Sequence, residues 1–424
     1  MYRLDTAIAP WSDSTLPLLA RGYAWLPDLM RATNGGPVRT RLLGRPTVAL
    51  RGQDAIDFFY DEQNVRRASA LPGPVLDTLF GRGAVHTLDG AAHRVRKAMF
   101  LAILKDGAGV AALADHVTRS WSEAVDDWRD GRRVVLFDAA ALILARSVCA
   151  WAGIQLSDEA VRRMAVDCQA MVDGFAAPGP RHLRARRARA RQEDVLAGLI
   201  RTVHEGEELT ADNGTAFETV AWHRDVDGAL IDPQTAAVEL LNIIRPTIAI
   251  AWFVAFAAHA LHRWPNHREL LRNDDERRYA RAFAHEVRRF YPFAPFVGGL
   301  AATELAWRGE VIAENTLVLL DLYGHNHDPE LWKDPYRFDP QRFTAHEPSA
   351  DELIPQGGGD PGRGHRCPGE DITVAVLAAL VQQLAGLDYA VPAQDLSIPL
   401  SRIPTRPRSG FVFTVVSPAQ GENH

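Results

Sequence analysis

The sequence predicts a mainly α fold with small β-sheets, built as one large unit over residues 1–424. Three observations predict it: long apolar periodicities at helical spacing, few and short strand-like runs, and the lack of any linker. The helical patterns cover residues 111–128, 136–153, 159–175, 232–264, 275–291 and 370–387. Each repeats apolar residues three or four apart, which turns one stripe toward a core. Strand-like stretches are confined to 47–50, 305–307 with 311–312, 318–320 and 411–416. They are rich in β-branched and aromatic residues but too short for more than marginal sheets. Proline and glycine are spread along the chain, and no repeat or low-complexity spacer divides it.

A hydrophobic fraction of 47% beside a charged fraction of 24% supplies the core of an ordinary globular protein. Lys+Arg 47 against Asp+Glu 53 gives a net charge of -6, which argues against general nucleic-acid binding and leaves a small molecule as the expected partner. The N-terminal MYRLDTAIAPWSDS lacks a basic region followed by an apolar one, and no uncharged run reaches the ~20 residues that span a bilayer. Cys149, Cys168 and Cys367 form no C-x-x-C and fit a reducing compartment. A cytoplasmic protein with no membrane span is expected.

The pattern over 232–264 carries the most informative pair in the chain. It begins at Asp232-Pro233, an N-cap followed by proline in the first turn, and continues through Leu240, Leu241, Ile244, Ile248, Phe253 and Phe256. Arg245-Pro246 interrupts it. An interior proline removes a backbone donor and costs about 3 kcal/mol, and a guanidinium cannot shed its proton to escape burial. Such violations concentrate at functional sites. Two readings stand: a buried cation kept for an anionic partner, or a kinked helix whose arginine snorkels to water.

Residues 354–370 read IPQGGGDPGRGHRCPGE, a glycine-rich loop with one cysteine leading into the last helical pattern. A thiolate at Cys367 gains from the positive helix end and from Arg366. A nucleophile, a zinc ligand and the axial ligand of haem iron all use such a sulfur. Zinc is disfavoured, because His365-x-Cys367 is only a fragment of a structural site, and a nucleophile needs a histidine base from elsewhere. Glu286 and Arg289, three apart, share a helix face. The segment from Trp332 to Phe343 interleaves aromatics, arginines and prolines, and an arginine from it can complete a network with that pair. The basic tract over 181–191 lacks interleaved aromatics in an acidic chain, so it reads as a solvated helix face and is assigned no function.

In order and approximate spacing, the Glu-x-x-Arg helix, the aromatic-Pro-Arg segment and the cysteine loop resemble the cytochrome P450 family of haem-thiolate enzymes. The sequence is most similar to its fatty-acid peroxygenase branch, which includes fatty-acid α- and β-hydroxylases and olefin-forming decarboxylases. The resemblance runs from about residue 40 to about 416, through Phe80-x5-His86, Asp89-Gly90-x2-His93-x2-Arg96-Lys97, Arg245-Pro246, Arg289-Phe290-Tyr291-Pro292-Phe293 and Pro355-Gln356-Gly357-Gly358-Gly359. Two departures from the broad family support the narrower one. A Gln-Gly-Gly-Gly loop replaces the usual phenylalanine before the cysteine, and Arg245-Pro246 replaces the helical acid-alcohol pair that relays protons.

The resemblance implies the cytochrome P450 fold in a single domain, a haem b ligated by Cys367, and no fused reductase. It implies hydrogen-peroxide-dependent oxidation of long-chain fatty acids without a redox partner. It places Arg67, His93, Lys97 and His365 at the haem propionates, and Leu79, Phe80, Val172, Phe175, Phe293 and Phe296 along an apolar substrate tunnel. An arginine is a poor base, so a substrate carboxylate held bidentately by Arg245, beside Pro246, is expected to serve as the missing acid and base. A carboxylate pinned there leaves the α and β carbons nearest the iron. His86 matches a position where histidine accompanies olefin formers and glutamine accompanies hydroxylases, which adds terminal alkenes to the expected products. The alternatives are a redox-partner-dependent haem-thiolate monooxygenase and a haem-binding sensor without turnover.

Overall fold

The long periodic runs become the helices that make up the body of the molecule. A computed structural model describes residues 12–128, 131–175, 177–206, 214–362 and 364–416. Helices occupy Gly107–Trp128, Leu136–Trp151, Asp158–Gly174, Pro180–His204, Arg278–Phe290 and Glu370–Gly386, so the expected patterns hold with ends moved by a few residues. The first residues and Arg363 of the cysteine loop lie outside the described residues.

The 232–264 pattern forms two helices rather than one, Pro233–Ile248 and Ile250–Arg263, meeting at Ala249. Asp232 caps the first, its Oδ1 accepting from the backbone N–H groups of Gln234 at 3.1 Å and Thr235 at 3.0 Å. Pro246 explains the break, because it has no N–H to give the Asn242 carbonyl and the ladder is re-formed only beyond it. Together the pair spans 31 residues and is apolar enough to cross a membrane, yet its most apolar window is 94% buried. It is the central core element, packed against Leu136–Trp151 and Pro180–His204.

The β structure is peripheral. A five-stranded sheet runs in the order Val38–Leu42, Arg45–Leu50, Leu317–Asp321, Phe296–Ala301, Val65–Arg66, with Arg45–Leu50 and Leu317–Asp321 parallel and the other pairs antiparallel. Leu305–Trp307 pairs with Glu310–Ile312, and Val412–Val415 lies between Val134–Val135 and Tyr389–Ala390. Phe296–Ala301 was invisible as a strand because glycines interrupt it. Gly299 is needed there, since a Cβ would stand 2.3 Å from Val65 Cγ1 and close off the pairing that delivers Arg67 inward.

Candidate active site

Three polar residues spaced three apart, Glu239, Asn242 and Arg245, form a stripe on the otherwise apolar Pro233–Ile248 helix. All are buried, Arg245 at 6% exposure, so the guanidinium does not snorkel to water. Its Nη2 donates to Asn242 Oδ1 at 3.2 Å, its Nε has no partner, and no carboxylate pairs with it among the described residues. Desolvation pulls its pKa down to about 9, and Arg189 adds repulsion. It therefore remains charged at neutral pH. Glu239, the nearest acid on the stripe, is committed elsewhere: Oε1 accepts from Arg96 Nη1 at 2.8 Å and from the Val85 N–H at 2.7 Å. Arg96 in turn meets Asp225.

The Phe80 carbonyl accepts from Asn242 Nδ2 at 2.8 Å, which ties the segment before His86 to this helix. The Phe80 ring tilts against His86 at 4.4 Å and lies 5.8 Å from the Arg245 guanidinium carbon. His86 Nδ1 is buried without a partner. Desolvation first, then the positive Arg245, holds the imidazole well below its ordinary pKa and therefore neutral.

Cys367 precedes Gly369, the N-cap of the Glu370–Gly386 helix. Its Sγ accepts from Gln356 Nε2 at 3.7 Å. Arg366 is turned away from the sulfur, its Nε and Nη2 gripping Glu370 at 2.9 and 2.6 Å and its Nη1 donating to the carbonyls of Ala350 and Gly359. Lys97 and Arg245 are both coupled to the sulfur; Lys97 donates to the Arg366 carbonyl at 2.5 Å, and burial lowers its pKa to about 8 against the pull of Cys367. No histidine hydrogen-bonds Cys367 among the described residues, so a nucleophile there has no base. Cys149 and Cys168 are buried, and desolvation raises both thiols.

Arg67, the His93 and Lys97 of one helical turn, and His365 come together from three separate segments. The rings of His93 and His365 stack at 3.8 Å, His365 Nε2 stands 3.6 Å from Asp89 Oδ1, and Asp89 accepts from the Arg67 N–H at 2.8 Å. Desolvation lowers His93 to about 3 and His365 to about 4. His93 Nδ1 and His365 Nε2 are buried without hydrogen-bond partners, each worth about 1–3 kcal/mol if left so. A haem fits this donor set: a thiol at a helix N-terminus, the cations Arg67 and Lys97 beside it, and buried imidazole nitrogens that carboxylates can satisfy.

Of the expected tunnel residues, Leu79 and Val172 belong to the main core with Phe293, which packs on Phe253 at 4.8 Å, and Phe175 follows the Asp158–Gly174 helix. Phe296 instead faces Trp25 edge-on at 6.1 Å, in the cluster around the N-terminal helices. Glu286 and Arg289 are wholly buried and bidentate at 2.7 Å, with Arg342 Nε 3.8 Å from Glu286 and Arg289 bonding the carbonyls of Asn326 and Pro335.

The reading of the basic tract as solvated needs correction at Arg189, which is 2% exposed and donates to the carbonyls of Leu79 and Phe80. A stripe of Ala185, Ala188, Gln192 and Leu196 at helical spacing marks this buried face. Glu239 and Asn242 were also missed, and their spacing from Arg245 was the signal.

A family model described as cytochrome P450 matches residues 270–384. The chain is 26% identical over 332 residues to cyclooctat-9-en-7-ol 5-monooxygenase of Streptomyces melanosporofaciens, covering 70% of each. Among solved structures, cytochrome P450SP alpha in complex with (R)-ibuprophen is 40% identical with a TM-score of 0.91, covering 95% of this chain and 98% of that one. Cytochrome P450EX alpha with myristic acid is 37% identical with a TM-score of 0.89, covering 96% and 98%. A variant of cytochrome P450 OleT in complex with arachidonic acid is 34% identical with a TM-score of 0.91, covering 96% and 98%.

Proposed function

Since this chain belongs to the cytochrome P450 superfamily, in its fatty-acid peroxygenase branch, we propose that it oxidises long-chain fatty acids with hydrogen peroxide, giving α- and β-hydroxy acids and terminal alkenes. One observation carries the reading: a charged, buried Arg245 with no acidic partner among the described residues. A buried cation left uncompensated is costly, and a guest carboxylate offsets that cost. Relatives bound to myristic and arachidonic acids support the same class of guest.

Cys367 would ligate the haem iron, and Arg67, His93, Lys97 and His365 would hold its propionates. When bound, the haem would supply thiolate-ligated iron, which favours cleavage of the peroxide O–O bond. Arg245 binds the carboxylate bidentately and fixes the carbon chain so that its first carbons lie at the reacting end. The carboxylate held there would be the group able to take a proton from hydrogen peroxide and return it to the oxygen that leaves as water, the other oxygen going to oxidise the acid, a task an arginine cannot perform. His86, neutral and next to Arg245, presents an imidazole beside the carboxyl end, which favours loss of that carboxyl as carbon dioxide. Leu79, Phe80, Val172, Phe175 and Phe293 supply apolar lining. In this reading the chain acts in the cytoplasm and draws its oxidant from hydrogen peroxide without a redox partner.

The test is mass-spectrometric product analysis after incubating the purified haem-loaded protein with hydrogen peroxide and a series of fatty acids, with no reductase. Hydroxy acids and alkenes one carbon shorter than the substrate are expected. Product formation only when electrons are delivered by a reductase would replace this reading with a conventional monooxygenase.

A further inference from the structure

The Pro180–His204 helix carries one arginine whose contacts point inward to the site. Arg189 Nη1 donates to the Leu79 carbonyl at 2.6 Å and Nη2 to the Phe80 carbonyl at 2.9 Å, while Nε faces Glu193 Oε1 at 2.6 Å. Leu79 and Phe80 end a short helical segment, Leu76–Phe80, where carbonyls lack intrahelical donors. One planar fork serves both. The chain leaves this segment at Gly81, φ 84, where an added Cβ would stand 2.2 Å from Arg189 Nη2 and 2.6 Å from Val238 Cγ1. The glycine and the arginine are therefore fitted to each other.

Resting on the reading of Arg245 and His86 above, we propose that Arg189 is a positioning residue for that site, holding the Leu79–Phe80 backbone and, through the Phe80 ring, the placement of His86 relative to Arg245. The route is short, since the Phe80 ring lies 4.4 Å from the His86 ring and 5.8 Å from the Arg245 guanidinium carbon. A guanidinium fork fixes both position and orientation, where an ammonium fixes a single point. Glu193 offsets the charge, so Arg189 contributes geometry and does not compete with Arg245 for the carboxylate.

The test compares the haem-loaded full chain with Arg189→Lys, Gly81→Ala and the double variant. Arg189→Lys keeps a cation for Glu193, and Gly81→Ala displaces the fork while also pressing on Val238 and straining the positive φ of Gly81. Two quantities are read: fatty-acid affinity, from the spectral shift on titration with myristic acid, and the ratio of alkene to hydroxy acid. Each single variant should change affinity or ratio by about 2- to 30-fold, the range for coupling through packed neighbours, with the thiolate spectrum unchanged. The double variant should fall short of the product of the two single effects, because both variants act on the same fork. Unchanged affinity and ratio in the single variants, or additive effects in the double, overturn the proposal. A wild-type protein that neither binds nor oxidises the acid instead overturns the functional reading on which it rests.

Discussion

Asn242 Oδ1 is the one side-chain acceptor that Arg245 has among the described residues, at 3.2 Å from Nη2. The same amide donates to the Phe80 carbonyl, so it orients the cation and the wall of the site together while leaving the positive charge intact. An amide is suited to this, because a carboxylate there would neutralise the cation that a substrate acid must find.

Asn242→Asp should therefore weaken fatty-acid binding by about tenfold or more, as close buried charge pairs couple by well over a kcal/mol. The dissociation constant from spectral titration checks this, and affinity equal to that of the wild type would show that Arg245 does not receive the carboxylate.

His86→Gln should lower the alkene share of the products while hydroxy acids persist. The imidazole is held neutral by burial and by Arg245, so this share should also stay level between about pH 8 and pH 6, across the range where an ordinary histidine titrates. Mass spectrometry of the products across that range, in both proteins, decides it. An alkene share unaltered by the substitution would remove His86 from the chemistry.

Glu286→Ala should destabilise the fold by about 3–5 kcal/mol, because it strands a fully buried Arg289 without its partner. The lost carboxylate also accepts from the Asp339 N–H at 2.7 Å, so the aromatic-Pro-Arg segment should loosen with it. Urea denaturation measures the difference, and a loss of only about 0–1 kcal/mol would reduce the pair to the value of a surface ion pair.

The fold should lose stability in mild acid. Burial holds His259 and His327 at about 4, below the ordinary histidine value of 6.5. As pH falls below 6.5 the unfolded chain takes up protons that the native state refuses until about 4, so stability drops through that window by up to about 1.4 kcal/mol per pH unit for each histidine. Asp321, pushed up to about 7 by burial, works in the opposite direction and offsets about one of them. Calorimetry should find a lower Tm at pH 5 than at pH 7.5, and a Tm independent of pH would contradict the balance.

Most of the helical body was legible because each helix buries one stripe and polar residues mark its ends. Asp232-Pro233 gave its boundary correctly, and Pro246 announced a break that the periodicity alone had smoothed over. Arg245 was legible as an anomaly, but only burial decided between a held cation and a snorkelling one. Contacts between distant segments were not legible. Arg189 meets Leu79 and Phe80 across more than a hundred positions, and Arg45–Leu50 pairs with Leu317–Asp321 in parallel only because the intervening helical body brings them together. Charge misled in the basic tract, where arginines on the outer face concealed one on the inner face.

The most direct measurement is hydrogen-peroxide-driven turnover of a long-chain fatty acid and of its methyl ester by the wild type and by Arg245→Leu, without a reductase. The expected result is oxidation of the acid by the wild type alone, with the ester left unreacted by both proteins. Equal turnover of acid and ester, or an Arg245→Leu variant as active as the wild type, would contradict a carboxylate held by Arg245.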